Sequence, residues 1–298
     1  MFFSGSSHLS LSSEVCAKLK IPLGKIHIKT FPDGEIFVRI LEDVQGKDVF
    51  VLQSLGIHPN RYLIELLITI DALKRAAARK ITAIIPYFSY ARQDRRAQMG
   101  DPITAKLIAN LLASSGCTHL ITCDLHAGQI EGFFEIPIIH LRCLDVLAEQ
   151  IRKKKIKNGI VVAPDIGSMR IAEMLAKKLH LDLAVVKKDR LDPFQVQTTL
   201  LEDVSGKNAI IVDDLCSTAG TLVSAAKLCK EMGALKIHAA ITHGVFASDA
   251  IQKINSSPID SLLITNTIEQ TGHKKSPKIQ QVSIAKMIAE ACILDKKK

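Results

Sequence analysis

Aromatic side chains are scarce in this sequence: tryptophan is absent, and aromatic residues make up 4% of the 298 positions. Proteins that bind single-stranded nucleic acids stack the bases on such side chains, so the composition offers little for that function. The chain also lacks an unbroken apolar run of the roughly 20 residues that a membrane-spanning helix needs. We therefore expect neither a nucleic acid nor a membrane among the partners of this protein.

Cysteine pairs with the spacing of a redox or zinc motif are absent as well. The chain has 7 cysteines, and no two of them are separated by only two residues. The first residues also lack the basic segment and apolar run of a secretory signal. Reduced, packed thiols are typical of an intracellular protein, so we expect a cytoplasmic location.

Positive charge is in excess. The 39 lysines and arginines outnumber the 30 aspartates and glutamates, which gives a formal net charge of +9. Nucleic acids and small phosphorylated substrates both explain such an excess. Two lysine runs, 153–155 and 296–298, carry part of it, and we expect both to be solvated. The hydrophobic content of 47% excludes a disordered chain, because enough apolar surface can be buried to offset the entropy of ordering.

Short β-branched segments alternate with amphipathic segments along the chain. Apolar strands that alternate with helices indicate mainly parallel sheets covered on both faces. The sequence therefore predicts an α/β fold. The predicted strands are 25–29, 48–53, 80–86, 119–124, 159–163, 183–187, 208–213, 236–242 and 261–265, and the predicted helices are 60–78, 103–115, 144–154, 168–179, 218–232 and 285–293.

An internal sequence repeat indicates two copies of one α/β unit. The hexapeptides EDVQGK and EDVSGK each precede an apolar strand, and KITAII and KIHAAI each follow a helix, in the same order in both halves. We expect the boundary near 141–143, which divides the chain into domains 1–142 and 143–298. No linker rich in proline, glycine or serine marks this boundary.

The segment IIVDDLCSTAGT, at 210–221, carries the strongest chemical signal. An apolar strand ends in two adjacent carboxylates, Asp213 and Asp214, and a short loop then opens a helix. Amide groups and hydroxyls at a helix N-terminus suit a phosphate, and paired carboxylates suit sugar hydroxyls, directly or through a divalent cation. The alternative is a capped turn with solvated aspartates. The candidate residues of the loop are Ser217, Thr218, Ala219, Gly220 and Thr221.

This segment resembles the phosphoribosyl-diphosphate binding motif of the phosphoribosyltransferase-like fold. Further motifs follow along the chain: FSGSSH, FPDGE, ELLITIDALKRA, IPYFSYARQDR, DLHAGQIEGFF, PDIG and THGVF. Together they resemble the ribose-phosphate diphosphokinase (phosphoribosyl pyrophosphate synthetase) family over nearly the whole length. The resemblance implies two tandem phosphoribosyltransferase-like (Rossmann-like) domains with mainly parallel sheets. Domain 1–142 is then the ATP side and domain 143–298 the ribose 5-phosphate side, with the last helix packing back on the first domain.

The resemblance also implies an activity. The family transfers the diphosphoryl group of ATP to the anomeric hydroxyl of ribose 5-phosphate, which gives 5-phosphoribosyl 1-diphosphate for nucleotide biosynthesis and AMP. Attack falls on the β-phosphorus, and Mg2+ is the implied cofactor that neutralises the polyphosphate. Such transfers depend on positioning and positive charge more than on covalent help from the protein. Self-association is implied as well, as hexamers built from dimers.

Two cations are implied as catalytic. The segment VVKKDRLDPFQVQ, at 185–197, resembles the mobile catalytic loop of the family, in which a lysine and an arginine embrace the transferring group. Those positions fall on Lys188 and Arg190. Lysine offers a compact charge and arginine a planar fork of donors. By itself, the segment would be interpreted as a solvated loop.

Metal and nucleotide contacts are implied at further positions. His126 and Asp165 match the magnesium-binding positions of the family. Because Mg2+ prefers oxygen ligands, outer-sphere contact or contact with the polyphosphate is also open for His126. The implied ATP-binding residues are Arg92 and Gln93, together with Phe31, Asp33, Gly34 and Glu35, whose turn receives the adenine bound to a neighbouring subunit.

The chain departs from the family pattern in several places. Ser217 stands where the family usually has aspartate, Lys187 also stands in place of an aspartate, and Asp189 in place of an arginine. The loop after Asp165 is one residue shorter. Gln45 replaces a regulatory arginine, basic residues are missing at 98–100, and the serine-rich C-terminal tail is missing. We therefore expect weak or absent regulation by ADP and phosphate.

Three alternatives remain open. A non-catalytic regulatory paralogue of the same family would generally lose the loop cations or metal residues, which are all present here. A phosphoribosyltransferase would share segment 210–221 but would lack the FPDGE and RQDR motifs and the duplication. Nucleic-acid binding lacks a basic helix or an aromatic array to support it.

Overall fold

A computed structural model describes the protein at residues 1–190, 196–270 and 276–296, without the side chains of residues 188–190 and 196–198. The chain divides into two compact units. The first unit comprises Met1–Arg142, Thr267–Glu269 and Ser283–Lys298, and the second comprises Cys143–Asn266 and Gln270–Val282. Within the described residues, no helix combines the length and the apolar character needed to span a bilayer.

The first unit is built on a sheet of five parallel strands in the order β1-β4-β5-β6-β7. Its elements are β1 (Phe2–Ser4), α1 (Leu9–Leu19), β2 (Ile26–Thr30), β3 (Ile36–Ile40), β4 (Asp48–Leu52), α2 (Pro59–Arg75), β5 (Lys80–Ile85), α3 (Thr104–Ser115), β6 (His119–Cys123), a short 3₁₀ helix (Gly128–Phe133) and β7 (Ile138–Leu141). Strands β2 and β3 form a separate antiparallel hairpin.

Helix α2 shows how the first unit acquires its core. It begins at Pro59, whose missing N–H costs nothing at the first turn of a helix. Leu63, Leu66, Ile70 and Leu73 recur at helical spacing and are buried in the same core as the sheet. One stripe of the helix therefore covers a face of the parallel strands.

The second unit carries a sheet of seven strands in the order β10-β9-β8-β11-β12-β13-β14, parallel except for the β9–β10 pair. The remaining elements are α4 (Leu144–Lys153), β8 (Gly159–Ala163), a 3₁₀ turn (Ile166–Ser168), α5 (Met169–Leu179), β9 (Asp182–Arg190), β10 (Val196–Leu200), β11 (Asn208–Cys216), α6 (Gly220–Glu231), β12 (Ile237–Gly244), α7 (Ala250–Ser256), β13 (Ser261–Thr265), β14 (Ile279–Val282) and α8 (Ala285–Asp295), of which α8 belongs to the first unit.

Strand β11 is buried on both faces, as expected for a central parallel strand. Ile210 and Val212 pack in the core that includes residues of α4 and α5, whereas Ile211 packs in the core that includes Leu222 of α6. Successive side chains of a strand point to opposite faces, so the continuous apolar run reflects helices on both sides. The predicted α/β class with mainly parallel sheets is confirmed.

Helix α8 is held in the first unit by a buried ion pair. Asp295 is 1% exposed, and Lys80 Nζ lies 3.1 Å from its Oδ1. Thr82 Oγ1 donates to Oδ2 of the same carboxylate at 2.8 Å. Both partners lie on β5, and the helix also contacts α1. The end of α8 is thereby fixed to the sheet.

Candidate active site

The loop after β11 lies at the carboxyl edge of the second sheet, where ligands of open α/β folds collect. Residues beyond β12 hold it in place: Val245 and Phe246 donate their N–H groups to the Cys216 carbonyl at 3.0 and 3.1 Å. Ala247 N–H donates to the Ser217 carbonyl at 3.0 Å. Ala219 then adopts a left-handed conformation with φ 61° immediately before α6. These backbone hydrogen bonds and the left-handed residue give the loop a defined conformation.

The N-terminus of α6 lies in this loop. The residue before the helix, Ala219, makes no side-chain cap, and the first amides of a helix have no acceptor within the helix. Thr218 and Gly220 are exposed, and Ser217 and Thr221 are half-buried. Backbone N–H groups, the positive end of the helix dipole and three hydroxyl side chains therefore lie in one short segment, a combination that suits an anion. Ser217 adds no negative charge to this position.

Asp213 and Asp214 lie in the C-terminal half of strand β11 and are both half-buried. Asp214 N–H donates to Asp213 Oδ1 at 2.9 Å. Burial raises the pKa of the Asp213 carboxyl, and the negative charges of Asp214 and Asp165 raise it further. The pair therefore holds a proton more tightly than isolated carboxyls, and a cation or sugar hydroxyls would relieve the repulsion.

Asp165 follows β8 and caps the 3₁₀ turn. The Ser168 N–H donates to Asp165 Oδ1 at 3.1 Å. In return, the Asp165 N–H donates to Ser168 Oγ at 3.4 Å. Ser168 is 4% exposed. The shortened loop is thus closed by a reciprocal cap that fixes one carboxylate oxygen.

Arg92 and Gln93 lie beyond β5 in the first unit. Gln93 is fixed from both sides: its N–H donates to the Tyr90 carbonyl at 2.8 Å, and its Oε1 accepts from Thr104 Oγ1 at 2.5 Å. The next residue, Asp94, accepts a hydrogen bond from Gln129 Nε2 at 2.7 Å. This bond joins the Arg92–Gln93 segment to the loop after β6.

His126 lies in that second loop and is exposed. The preceding Leu125 is buried, and its N–H donates to His140 Nε2 at 2.9 Å. Because β5 and β6 are parallel neighbours, their carboxyl ends bring Arg92, Gln93 and His126 to one edge of the first sheet.

The FPDGE turn joins β2 to β3. Gly34 N–H donates to the Phe31 carbonyl at 2.9 Å, and Glu35 N–H donates to Asp33 Oδ1 at 3.1 Å. Gly34 has φ +96°, a conformation that favours glycine. Phe31 is 38% exposed, and Lys29 Nζ lies 5.3 Å from its ring centroid. The turn therefore presents an exposed aromatic face and a carboxylate.

Lys188 and Arg190 are described only as backbone. They pair with Thr198 and Val196 in the β9–β10 ladder. Their side chains, and residues 191–195 of the predicted catalytic loop, lie outside the described residues. Their catalytic roles stay predictions.

The donor set fits Mg2+ held mainly by substrate. No three His, Cys, Asp or Glu side chains converge in metal-binding geometry in the described part of the chain. Mg2+ keeps several waters and commonly binds one or two carboxylates plus substrate phosphates. The carboxylates of Asp165, Asp213 and Asp214 are of the right chemical class, and their mutual repulsion favours a cation nearby.

Sequence reasoning missed several supporting residues. Asp94 and Glu131 lie inside the IPYFSYARQDR and DLHAGQIEGFF motifs but were assigned no role, and Ser168 follows the PDIG motif. His140 reaches the loop after β6 only because β7 pairs with β6. Gln129 lies within the DLHAGQ motif, and this membership was the sequence signal for its supporting role.

Comparisons with known proteins agree with this arrangement. Residues 1–116 match the N-terminal domain of ribose phosphate pyrophosphokinase, and residues 194–296 match the phosphoribosyl synthetase-associated domain. Ribose-phosphate pyrophosphokinase of Bacillus caldolyticus is 44% identical over 97% of this chain and 92% of the relative. The enzyme of the same name from Caldanaerobacter subterraneus subsp. tengcongensis is 46% identical over 98% and 93%.

A solved structure covers the whole chain. The crystal structure of phosphoribosylpyrophosphate synthetase from Mycobacterium smegmatis aligns with a TM-score of 0.95 and 37% identity, over 100% of this chain and 98% of that one. The agreement extends across both units. This chain belongs to the ribose-phosphate pyrophosphokinase family.

Proposed function

We propose that this protein transfers the diphosphoryl group of ATP to the anomeric hydroxyl of ribose 5-phosphate, giving 5-phosphoribosyl 1-diphosphate and AMP. Relatives named ribose-phosphate pyrophosphokinase, at 44% and 46% identity over nearly the full chain, support this activity. The observation that carries it in this chain is the loop after β11, where an uncapped helix N-terminus follows two carboxylates.

The second unit is proposed as the ribose 5-phosphate side. The first amides of α6, with the hydroxyls of Ser217, Thr218 and Thr221, bind the 5-phosphate. Asp213 and Asp214 orient the ring hydroxyls. Fixing the sugar in this way converts a bimolecular encounter into a positioned attack.

The first unit is proposed as the ATP side. Arg92 and Gln93 hold the nucleotide, and His126 binds near its polyphosphate. The FPDGE turn receives the adenine of ATP bound to a neighbouring subunit, which requires an oligomer, and hexamers built from dimers are the proposed assembly. The exposure of Phe31 supports this role, because an aromatic face is available for a base.

Lys188 and Arg190 are proposed to stabilise charge on the transferring group. Removing a preorganised donor of this type costs on the order of a hundredfold in rate. Asp165, with His126, is proposed to hold Mg2+. When bound, Mg2+ supplies positive charge that neutralises the polyphosphate. The seven cysteines all lie among the described residues as buried thiols, which supports a cytoplasmic location.

The product nucleotide tests this proposal. Purified protein is mixed with ATP, Mg2+ and ribose 5-phosphate, and the products are separated by chromatography. AMP together with 5-phosphoribosyl 1-diphosphate supports diphosphoryl transfer, whereas ADP indicates an ordinary kinase. Absence of turnover would support the alternative of a non-catalytic regulatory paralogue.

A further inference from the structure

His140 is a buried histidine that the proposed reaction does not use. It lies on β7, and its side chain is 5% exposed. The ring contacts two positions of one segment: Nε2 accepts the Leu125 N–H at 2.9 Å, and Nδ1 contacts Glu131 Oε1. These positions flank the loop that carries His126. The imidazole therefore bridges the two ends of segment 125–131.

The hydrogen bonds assign the state of the ring. An N–H group donates to Nε2, so Nε2 must carry a lone pair. The remaining proton is then on Nδ1, where it is donated to the Glu131 carboxylate. Arg142 lies 3.3 Å from the same carboxylate oxygen and orients it. The two hydrogen bonds support each other. A neutral imidazole that donates from Nδ1 to Glu131 has a lone pair on Nε2, which accepts the Leu125 N–H.

The loop needs such support. Asp124, at its start, adopts φ 27°, which is unfavourable for a residue with a side chain. Its N–H donates to the carbonyl of Leu141, the residue after His140, at 3.0 Å. Strand β7 thus fixes the entry of the loop twice, through backbone and imidazole. Gln129 extends the same loop to Asp94, beside the ATP-binding candidates.

We propose that His140 is a positioning residue that holds segment 125–131 in the conformation presenting His126 to the polyphosphate of ATP, an inference that rests on the proposed function. Hydrogen-bond partners behind a ligand-binding side chain typically contribute about 10- to 100-fold in affinity or activity. Loss of His140 therefore weakens the binding of ATP and leaves the binding of ribose 5-phosphate unchanged.

The test compares His140→Leu with a matched control. His238→Leu removes a half-buried histidine on β12 of the second unit, whose Nδ1 lies 2.8 Å from Ser261 Oγ. Hydrogen–deuterium exchange of the peptide spanning 124–131 is measured in the free protein, and KM and kcat/KM are measured for each substrate. In His140→Leu, exchange of that peptide accelerates and kcat/KM for ATP falls about 10- to 100-fold, while KM for ribose 5-phosphate stays unchanged.

Two further variants keep the test decisive if His140→Leu fails to fold. Glu131→Leu removes the acceptor of the Nδ1 proton from a side chain that is 43% exposed, so the fold tolerates it, and its effect has the same direction and a smaller size. His140→Gln restores an acceptor for Leu125 and recovers part of the activity.

Unchanged exchange of the 124–131 peptide in both His140→Leu and Glu131→Leu overturns the proposal. So does a rise in KM for both substrates that matches His238→Leu. If the unmodified protein forms no AMP, the proposed function fails. The exchange comparison in the free protein still decides then whether His140 holds the loop.

Discussion

Gln129 and Asp94 join the two loops that carry the candidate ATP residues, through a hydrogen bond of 2.7 Å between Gln129 Nε2 and Asp94 Oδ2. Both side chains lie beyond adjacent parallel strands, β5 and β6. The bond keeps the segment of Arg92 and Gln93 in register with the loop of His126. Both lie inside motifs that carry the family resemblance, but neither was assigned a role there.

Gln129→Ala should raise KM for ATP about tenfold, because loss of an exposed hydrogen bond to a charged group costs about 1.5 kcal/mol, the lower end of the usual range. Steady-state kinetics with each substrate varied in turn checks this. Asp94→Asn keeps an acceptor for the amide and serves as the milder control. Equal KM values for ATP in Gln129→Ala and the unmodified protein would show that the bond does not orient the nucleotide.

Asp213→Asn should stabilise the free protein while it weakens ribose 5-phosphate binding. Burial and the charge of Asp214 raise the pKa of Asp213 in the folded state, so folding binds protons and stability falls as pH rises above the ordinary range of a carboxyl. Asparagine cannot ionise and escapes this penalty.

Burial and neighbouring charges raise the pKa of Asp213 to about 8, so the advantage of Asp213→Asn in melting temperature should grow from about pH 4 to about pH 8 and then level off. Differential scanning calorimetry without ligands measures it, and titration calorimetry with ribose 5-phosphate measures the lost affinity. A melting-temperature difference that stays constant or shrinks with pH would contradict the account of this carboxyl pair.

Lys80→Met should lower the free energy of unfolding by about 3–5 kcal/mol, because it leaves the carboxylate of Asp295 buried without its partner. Arg79→Met is the matched control. It removes a pair with Asp48 in which the Arg79 side chain is 70% exposed, and such pairs contribute about 0–1 kcal/mol. Thermal unfolding compares the two variants, and similar losses would argue against a special role for Asp295 in fixing α8.

ADP should inhibit without sigmoidal kinetics, and phosphate should activate weakly or not at all. Gln45 occupies an exposed turn in which its N–H donates to Asp43 Oδ1 at 3.0 Å, and it supplies no positive charge for an anion. Initial rates at varied ADP and phosphate check this. Strong phosphate activation with cooperative ADP inhibition would refute it.

The α/β class followed from the sequence because buried parallel strands are continuous apolar runs. Element ends were less accurate where tertiary contacts decide them. Strand β11 continues beyond the predicted end at Asp213 because Leu215 and Cys216 still pair with β12. Helix α6 begins at Gly220 rather than at Thr218 because Ala219 is left-handed.

Helix α1 was missed for a different reason. Its segment is rich in serine, which favours caps and turns over helix interiors. The side chain of His8 accepts the Leu11 N–H at 3.3 Å, and burial of Leu11 and Val15 supplies the rest of its stability. Among site residues, the motifs indicated loop positions, but the His140 bridge joins residues 125, 131 and 140 and leaves no local sequence pattern.

The fate of the ATP phosphorus atoms distinguishes diphosphoryl transfer from transfer of a single phosphoryl group. Parallel reactions contain Mg2+, ribose 5-phosphate and ATP labelled with radioactive phosphorus at the α or the β position, and Lys188→Ala serves as the impaired control. Diphosphoryl transfer moves the β label to the sugar product and leaves the α label in AMP. A β label that remains in ADP would contradict it.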